Sequence, residues 1–234
     1  TGDGYKLATD IGHKIITPRP ALIPLETKES WVRDVTGVSL KNVTATLTVG
    51  GRTVAEEFGE MLFTHYGLSG PIILTISRHA VEALAKKKQP QVHLNLKPAL
   101  TPEQLEARLL RDFEKNLRKQ FKNSLNDLLP QSLIEPIIKT SGISPDLPVH
   151  QITKKQRQQL QNVLTDLTFT ITGVRSLKEA IVTAGGVSVL EISPATMESK
   201  IIRCLYFAGE VMDIDGNTGG YNLQAAFSTG YVAG

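Results

Sequence analysis

The sequence predicts a multidomain chain of mixed α/β and α+β class: a partial Rossmann-like domain carrying an inserted β-rich domain, which itself carries a helical insertion. Three observations predict this. Residues 205–234, LYFAGEVMDIDGNTGGYNLQAAFSTGYVAG, read as a strand, a glycine-acid turn, a glycine pair and a helix of small residues. Val43, Ala45, Leu47 and Val49 alternate with Thr44, Thr46 and Thr48, and Leu167, Phe169 and Ile171 alternate the same way much later. Between these β segments, Thr101-Pro102-Glu103-Gln104 forms a capping box followed by apolar residues at four-residue spacing. The corresponding boundaries are 1–20 and 185–234 for the Rossmann-like part, 21–77 and 166–184 for the β-rich domain, and 78–165 for the helical insertion.

In chain order, Tyr5 to His13 reads as a short amphipathic helix leaving a TGDG turn, and Pro18, Pro20 and Pro24 then carry an extended connector. Val35 to Thr64 reads as β structure, with Gly50-Gly51 as a hairpin turn. Ser69-Gly70 before Pro71 marks a helix start. Leu105, Leu109, Phe113, Leu117, Phe121 and Leu125 mark one long inserted helix. A further helix starts after Thr153, with Leu160, Val163 and Leu164 on its apolar side, while Pro130, Pro136, Pro145 and Pro148 break the intervening chain. The apolar run 201–208, broken by Arg203 and the lone Cys204, reads as a strand covered on both faces, which makes Cys204 a small core residue.

That strand leads to the candidate site. Gly209 allows a turn without a Cβ, Glu210 stands at the carboxyl end of the strand, and ligands of open α/β sheets bind at that edge. Gly219 and Gly220 permit close backbone approach, and a helix starting near Tyr221 aims free N–H groups and its positive dipole end at an anion or an electron-rich ring edge. The segment is half of a cofactor site. Asp213 and Asp215 also fit a solvated turn, and an EF-hand is excluded because its twelfth position, counted from Asp213, is Gln224. Gly2 and Gly4 have the first spacing of G-x-G-x-x-G, but Leu7 stands where the third glycine belongs. The chain therefore reads as a fragment whose other half of the cofactor cradle lies elsewhere.

The stretch 59–71, GEMLFTHYGLSGP, is the candidate substrate side: His65 is a candidate acid or base, Tyr66 can stack or donate, and Ser69 sits at the helix start. Thr183 with Gly185 and Gly186 forms a possible third wall, with close backbone packing as the alternative. His13, His79, His93 and His150 have no H-x-x-x-H or C-x-x-C partner, so no metal site is expected, and no G-x-S-x-G elbow occurs.

Composition sets the remaining bounds. The chain has 234 residues with 41% hydrophobic content, ordinary for a globular protein. No apolar run reaches the roughly 18 residues needed to span a bilayer, so no membrane partner is expected. A single cysteine and no signal peptide point to the cytoplasm. Residues 86–165 hold 14 Lys and Arg against 7 Asp and Glu, while the remainder holds 12 against 16, so the basic excess is confined to one module. Such a patch favours a polyanion, and a solvated helix face is the alternative.

Four stretches together, TGDGYKLATDIGH at 1–13, GEMLFTHYGLSGP at 59–71, GVRSLKEAIVTAGGVSVLEISPATMESK at 173–200 and the C-terminal 205–234, closely resemble a bacterial family of FAD-dependent oxidoreductases. That family comprises aminoacetone oxidase-like and NAD(P)/FAD-dependent flavoproteins, including ribosomal RNA dihydrouridine synthases. The resemblance covers nearly the whole chain and is weakest between residues 78 and 165. It implies FAD as cofactor, NAD(P)H as a possible reductant, and a missing N-terminal βαβ segment of the same protein as partner. FAD binding by this chain alone is accordingly expected to be weak or absent. By the same resemblance Glu210 and Gly209 meet the ribityl or pyrophosphate part, and Gly220, Tyr221, Asn222 and Leu223 face the pyrimidine edge of the flavin. Gly2, Asp3 and Gly4 approach from the other strand end, with Gly185, Gly186, Asp215 and Gly219 completing the set. Met212 and Ile214 replace the Leu and Val common in relatives, without loss of a polar contact. The implied activities are reduction of uridine to dihydrouridine in ribosomal RNA, bound through residues 86–165, or redox chemistry on a small amine or steroid. A non-catalytic RNA- or protein-binding module is the rival from another class.

Overall fold

A computed structural model describes residues 2–234. These fall into two compact units, one made of the residues up to Pro24 together with Val174–Gly234, the other of Leu25–Gly173. In the first unit the chain opens with α1 (Asp3–Asp10), entered through Gly2 in a left-handed conformation at φ 105°, and continues into β1 (Ile15–Leu22).

The second unit starts with β2 (Leu25–Thr27), then β3 (Ser39–Val49), β4 (Arg52–Thr64), β5 (Gly67–Ser69) and helix α2 (Pro71–Ala85). The β3–β4 hairpin turns at Gly50 and Gly51, both at positive φ, as two-residue hairpins require. Strand β6 (Pro90–Asn95) follows, and after the helices β7 (Leu167–Val174) pairs with it in antiparallel register, His93 opposite Thr168. The six strands close as a barrel in the order β2-β5-β4-β3-β6-β7, and the Lys28 amide donates to the Thr170 carbonyl across the closing edge at 2.9 Å. Alternate residues point inward: Ala45, Leu47, Met61, Phe63, Val92, Leu94, Leu167 and Phe169 are all buried. Trp31 packs against Phe63 and Phe169 with ring centroids 6.0 and 5.5 Å away.

Two glycines permit this closure. A Cβ on Gly67 would stand 2.0 Å from the Leu25 carbonyl oxygen, because β2 and β5 cross closely there. A Cβ on Gly59 would meet Ile72 at 2.9 Å, where α2 packs against β4.

The inserted helices are α3 (Pro102–Lys115), α4 (Gln131–Ser141) and α5 (Lys154–Thr165). Both α3 and α5 begin with complete capping boxes, Thr101 with Gln104 and Thr153 with Gln156. Leu105, Leu109 and Phe113 of α3, Leu133 and Ile137 of α4, and Leu160 and Leu164 of α5 are all buried, with α5 touching both other helices, and Glu106 ties α3 to α5 by accepting from Arg157 at 3.0 Å and Gln161 at 2.6 Å. Contrary to the four-residue spacing, α3 does not run on to Leu125. Asn116 ends it by donating its side-chain amide to the Asp112 carbonyl at 2.7 Å, Leu117 is exposed, and Phe121 enters the core from a 3-10 turn. The segment 78–165 read as helical also contains barrel strand β6, whose Val92-His93-Leu94 alternation was the available signal.

Back in the first unit, β8 (Val182–Val187) pairs antiparallel with β1, and α6 (Tyr221–Ala233) ends the described chain. Of the prolines expected to lie in a connector, Pro18 and Pro20 instead stand within β1, while Pro24 lies between β1 and β2. Pro18 and Pro20 have no N–H to donate, and the β1–β8 register shifts twice beside them. The expected strand over 201–208 is not formed. Ser199 Oγ accepts the amides of Ile201 and Ile202 at 3.0 and 2.9 Å, and Glu198 accepts the Cys204 amide at 2.8 Å, so side chains bend this run into turns. Cys204 sits at φ 62° and is exposed rather than buried. The mixed α and β content agrees with expectation in both units. The sheet of the first unit, with two antiparallel strands and one isolated parallel bridge between Val187 and Met212, does not by itself amount to a Rossmann sheet.

The first unit closes around Ala8, Val187, Ile192, Phe207 and Met212, with one polar network inside. His13, only 3% exposed, stands between Glu191 and Ser199. Both lone pairs of Ser199 Oγ are taken by backbone amides, so its hydroxyl donates to His13 Nε2 at 2.8 Å. His13 Nδ1 therefore carries the proton and donates to Glu191 at 3.0 Å. The Lys14 amide, followed by His13, holds the Glu191 carboxyl below its ordinary value.

Ser199→Ala strands two part-buried amides and a buried ring nitrogen, and we expect a loss of about 1–3 kcal/mol in urea denaturation, against about 1 kcal/mol for Thr153→Ala, which removes a cap from α5. A carboxylate with a depressed value stabilises the fold above the ordinary carboxylate range and loses that contribution as pH falls through the lowered value. The stability gap between the wild type and Glu191→Gln should therefore be widest near neutral pH and close below about pH 4, read from urea midpoints across pH.

Candidate functional site

The site in the first unit is organised by β8. Its two glycines are at positive φ, 91° for Gly185 and 138° for Gly186, and both are buried. A Cβ on Gly185 would lie 2.6 Å from the Thr17 carbonyl oxygen of β1, and one on Gly186 would lie 2.4 Å from the Val211 carbonyl oxygen. Three stretches of backbone thus meet where no side chain fits. Of the two readings left open for these glycines, the geometry supplies the packing one in full, and neither lines the cavity described below.

Carboxylates then fasten the 209–213 segment onto β8. The Thr183 amide donates to Glu210 Oε1, and the Gly185 amide donates to Asp213 Oδ1 at 3.1 Å. The Gly209 amide donates to Thr229 Oγ1 at 3.0 Å, which ties this segment to α6. On the other side, Tyr5 of α1 donates its hydroxyl to the Glu210 carbonyl at 3.4 Å, and Gly4 faces Val211. Burial, then the nearby Glu210 charge, pushes the Tyr5 hydroxyl above its ordinary value. Tyr5 and Gly4 are therefore brought beside the 210–211 segment.

The 216–222 loop closes on itself through Asn222, whose side chain accepts from the Gly216 amide at 2.8 Å and donates to the Gly216 carbonyl at 2.9 Å. Its side chain is thus spent on loop shape. Gly219 and Gly220 follow at φ 111° and 90°, and Gly220 has open space where a Cβ would be. Helix α6 starts directly after them with no side chain capping its first turn, so the amides of Tyr221, Asn222 and Leu223 lack intrahelical acceptors.

These amides border a cavity of about 380 Å³. Leu22, Ile181 and Val182 form an apolar wall; Glu210, Asn217 and Thr218 supply polar groups; Gly219, Gly220, Asn222, Leu223 and Ala226 complete it. A concave site with an apolar wall and a few converging polar groups suits a planar ligand with a polar edge. An uncapped helix start beside it favours negative charge on that edge. Of the residues anticipated for cofactor binding, Glu210, Gly219, Gly220, Asn222 and Leu223 line the cavity, Gly209 and Tyr221 flank it, and Asp215 is half-buried in the preceding loop. Leu22, Ile181 and Val182 were missed. They look like ordinary strand residues in the sequence, and only the β1–β8 pairing brings them together.

His65, Tyr66 and Ser69 lie in the second unit. His65 is exposed on the β4–β5 turn, and its ring packs edge to face on Tyr66 at 4.7 Å. Ser69 pairs with Leu62 across β4 and β5, immediately before Gly70 starts α2. Among the described residues, no three His, Cys, Asp or Glu side chains gather to hold a metal ion, and no helix is long and apolar enough to cross a membrane.

Comparison with known proteins adds to this geometry. The family model described as HI0933-like protein barrel and H2TH domain matches residues 19–182. The chain is 33% identical over 233 residues to the 3-dehydro-bile acid delta(4,6)-reductase of Clostridium scindens, covering 100% of this chain and 57% of that protein. It is 34% identical over 231 residues to the ribosomal RNA dihydrouridine synthase of Escherichia coli, covering 98% and 54%, and equally so to that of Haemophilus influenzae. The chain spans about half the length of these curated relatives.

Because Gly186 has backbone on the face where a Cβ would point, Gly186→Ala should destabilise the first unit by about 3 kcal/mol or more, whereas Ala226→Gly, half-buried where α6 lines the cavity, should lose about 1 kcal/mol. Amide hydrogen exchange of β8 and α6 distinguishes the two, and wild-type protection in Gly186→Ala would contradict the packing assigned to β8.

Proposed function

This chain belongs to the HI0933-like family, and on that premise we propose that the protein is an FAD-dependent oxidoreductase whose flavin ring lies against the start of α6. The observation that carries the proposal is the cavity of about 380 Å³ where Gly219, Gly220 and the uncapped amides of α6 meet the apolar wall of Leu22, Ile181 and Val182. The residues fit the group: positive-φ glycines permit close approach, the amides suit an electron-rich ring edge, and the wall suits a planar ring. When bound, FAD would supply the two-electron chemistry, with NAD(P)H as the proposed source of reducing equivalents.

The protein's own contribution is positional and electrostatic. The amides of α6 stabilise negative charge at the ring edge, and the apolar wall excludes water from that face. Glu210 is held by the Thr183 amide, and its remaining carboxylate oxygen would accept from a sugar hydroxyl of the cofactor. His65, Tyr66 and Ser69 remain the proposed substrate-side residues. The exposed apolar row Leu223, Phe227 and Tyr231 on α6 supports a covering partner, proposed to be a βαβ segment of the same protein. The cytoplasm is the proposed compartment.

For the substrate we propose uridine in ribosomal RNA, reduced at its C5–C6 double bond. Support comes from the net charge of +7 on residues 86–165 and from two relatives named as ribosomal RNA dihydrouridine synthases. Reduction of a small molecule is the second reading, favoured by the bile acid reductase among the relatives.

The full-length protein should purify yellow, with flavin absorbance at one FAD per chain. A colourless protein that takes up no added FAD would end the oxidoreductase reading in favour of a binding module. This chain alone should bind FAD weakly or not at all, and tight stoichiometric binding would refute that expectation. Ribosomal RNA from a strain lacking the protein should contain less dihydrouridine; unchanged content sinks the RNA reading and leaves the small-molecule one.

A further inference from the structure

The helical module holds a cavity of about 630 Å³, larger than the one beside α6. It lies between the 3-10 turn Phe121–Asn123 and one face of α4. From it we propose a second binding site, one that takes a single unstacked nucleotide of a folded RNA. The inference rests on the RNA reading above and deepens it by naming where the RNA is gripped.

The floor is apolar. Ile134, Ile138 and Ile143 each show 6% exposure or less, so their side chains form a fixed surface against which the face of a base can lie. Around that floor stand three carboxamides, Asn123, Asn126 and Gln131, all exposed and none hydrogen-bonded within the protein among the described residues. Each carboxamide offers two N–H donors and one carbonyl acceptor, which matches the mixed donor and acceptor pattern of a base edge. By contrast the amides of this protein that shape loops, such as Asn116 and Asn222, are spent on backbone groups.

Charge completes the site. Lys139 stands one turn beyond Glu135 on the same α4 face, and Lys122 reaches from the opposite side. Lys122 is held by Asp146 at 2.8 Å, but both side chains are well exposed, and a pair of that kind is worth little and can be exchanged for a phosphate. Glu135 supplies an acceptor for an exocyclic amino group. The cavity volume lies within the usual range for small-ligand sites. An acidic peptide would use the two lysines but brings no planar ring to lie on the apolar floor. Base-paired RNA cannot use the site, because its base faces are stacked and its Watson–Crick edges paired; unpaired loop nucleotides can be splayed into it.

The test measures binding of the full-length protein to fluorescently labelled, deproteinised ribosomal RNA across a salt series, with duplex RNA and poly-glutamate as competitors. Asn126→Ala with Gln131→Ala should weaken ribosomal RNA binding at least tenfold with an unchanged salt slope, since no charge is removed. Lys139→Gln should instead lower the slope by about 0.7, the share of one single-strand phosphate. Both positions of the double variant are exposed; should its melting temperature shift, Asn126→Ser alone, which likewise changes no charge, gives the same reading. Wild-type affinity in the double variant overturns the cavity assignment while leaving the RNA reading intact. A wild-type protein with no preference for ribosomal RNA over duplex removes the RNA reading and this inference with it. Competition by poly-glutamate that is lost in the double variant makes the cavity a peptide site and overturns the proposal.

Discussion

Close approach of three backbones at Gly185 and Gly186 is the constraint on which the first unit depends. A Cβ at either position would occupy carbonyl oxygens of β1 or of the 211–212 segment, so β8 can be the meeting place only because it has none there. From that contact the rest follows. The β8 amides are available to Glu210 and Asp213, those carboxylates set the 209–213 segment, Thr229 links the segment to α6, and the start of α6 then borders the cavity. The buried His13 network works behind this face by fixing the 199–202 turn and the entry to β1.

The second unit is built on different physics. Its barrel is held by alternation, with every inward residue of β6 and β7 buried and small residues admitted where strands or α2 come closest. Its helices are held by capping boxes and by the Glu106 bridge between α3 and α5. Rigid ends of this sort make a firm frame for the exposed carboxamides and lysines around the α4 cavity. The proposed RNA contact of this unit is a matter of surface, whereas the proposed cofactor cavity of the first unit is a matter of backbone.

Much of the barrel was legible because alternation is a local signal. Val43 to Val49 and Leu167 to Ile171 announced β3 and β7, and Thr101 and Thr153 announced two helix starts. The strand over 201–208 misread for a reason equally physical. Its apolar composition satisfies the pattern of a buried strand, but Ser199 and Glu198 capture its amides before any neighbouring strand can. The helix from Leu105 was read too long because Leu117, Phe121 and Leu125 keep the spacing while Asn116 stops the backbone.

What the sequence by itself determined was chemistry that needs only near neighbours: hairpin glycines, capping boxes, alternating strands, the helix start after Gly219-Gly220, and the concentration of basic charge in one module. What only the tertiary structure decided was which distant groups meet. Leu22 and Val182 share a wall because β1 and β8 pair across most of the chain, Tyr5 reaches Glu210, and Gly185 and Gly186 prove to be packed by backbone. Such contacts depend on register and on which side chain takes a given amide, and neither is encoded in spacing along the chain.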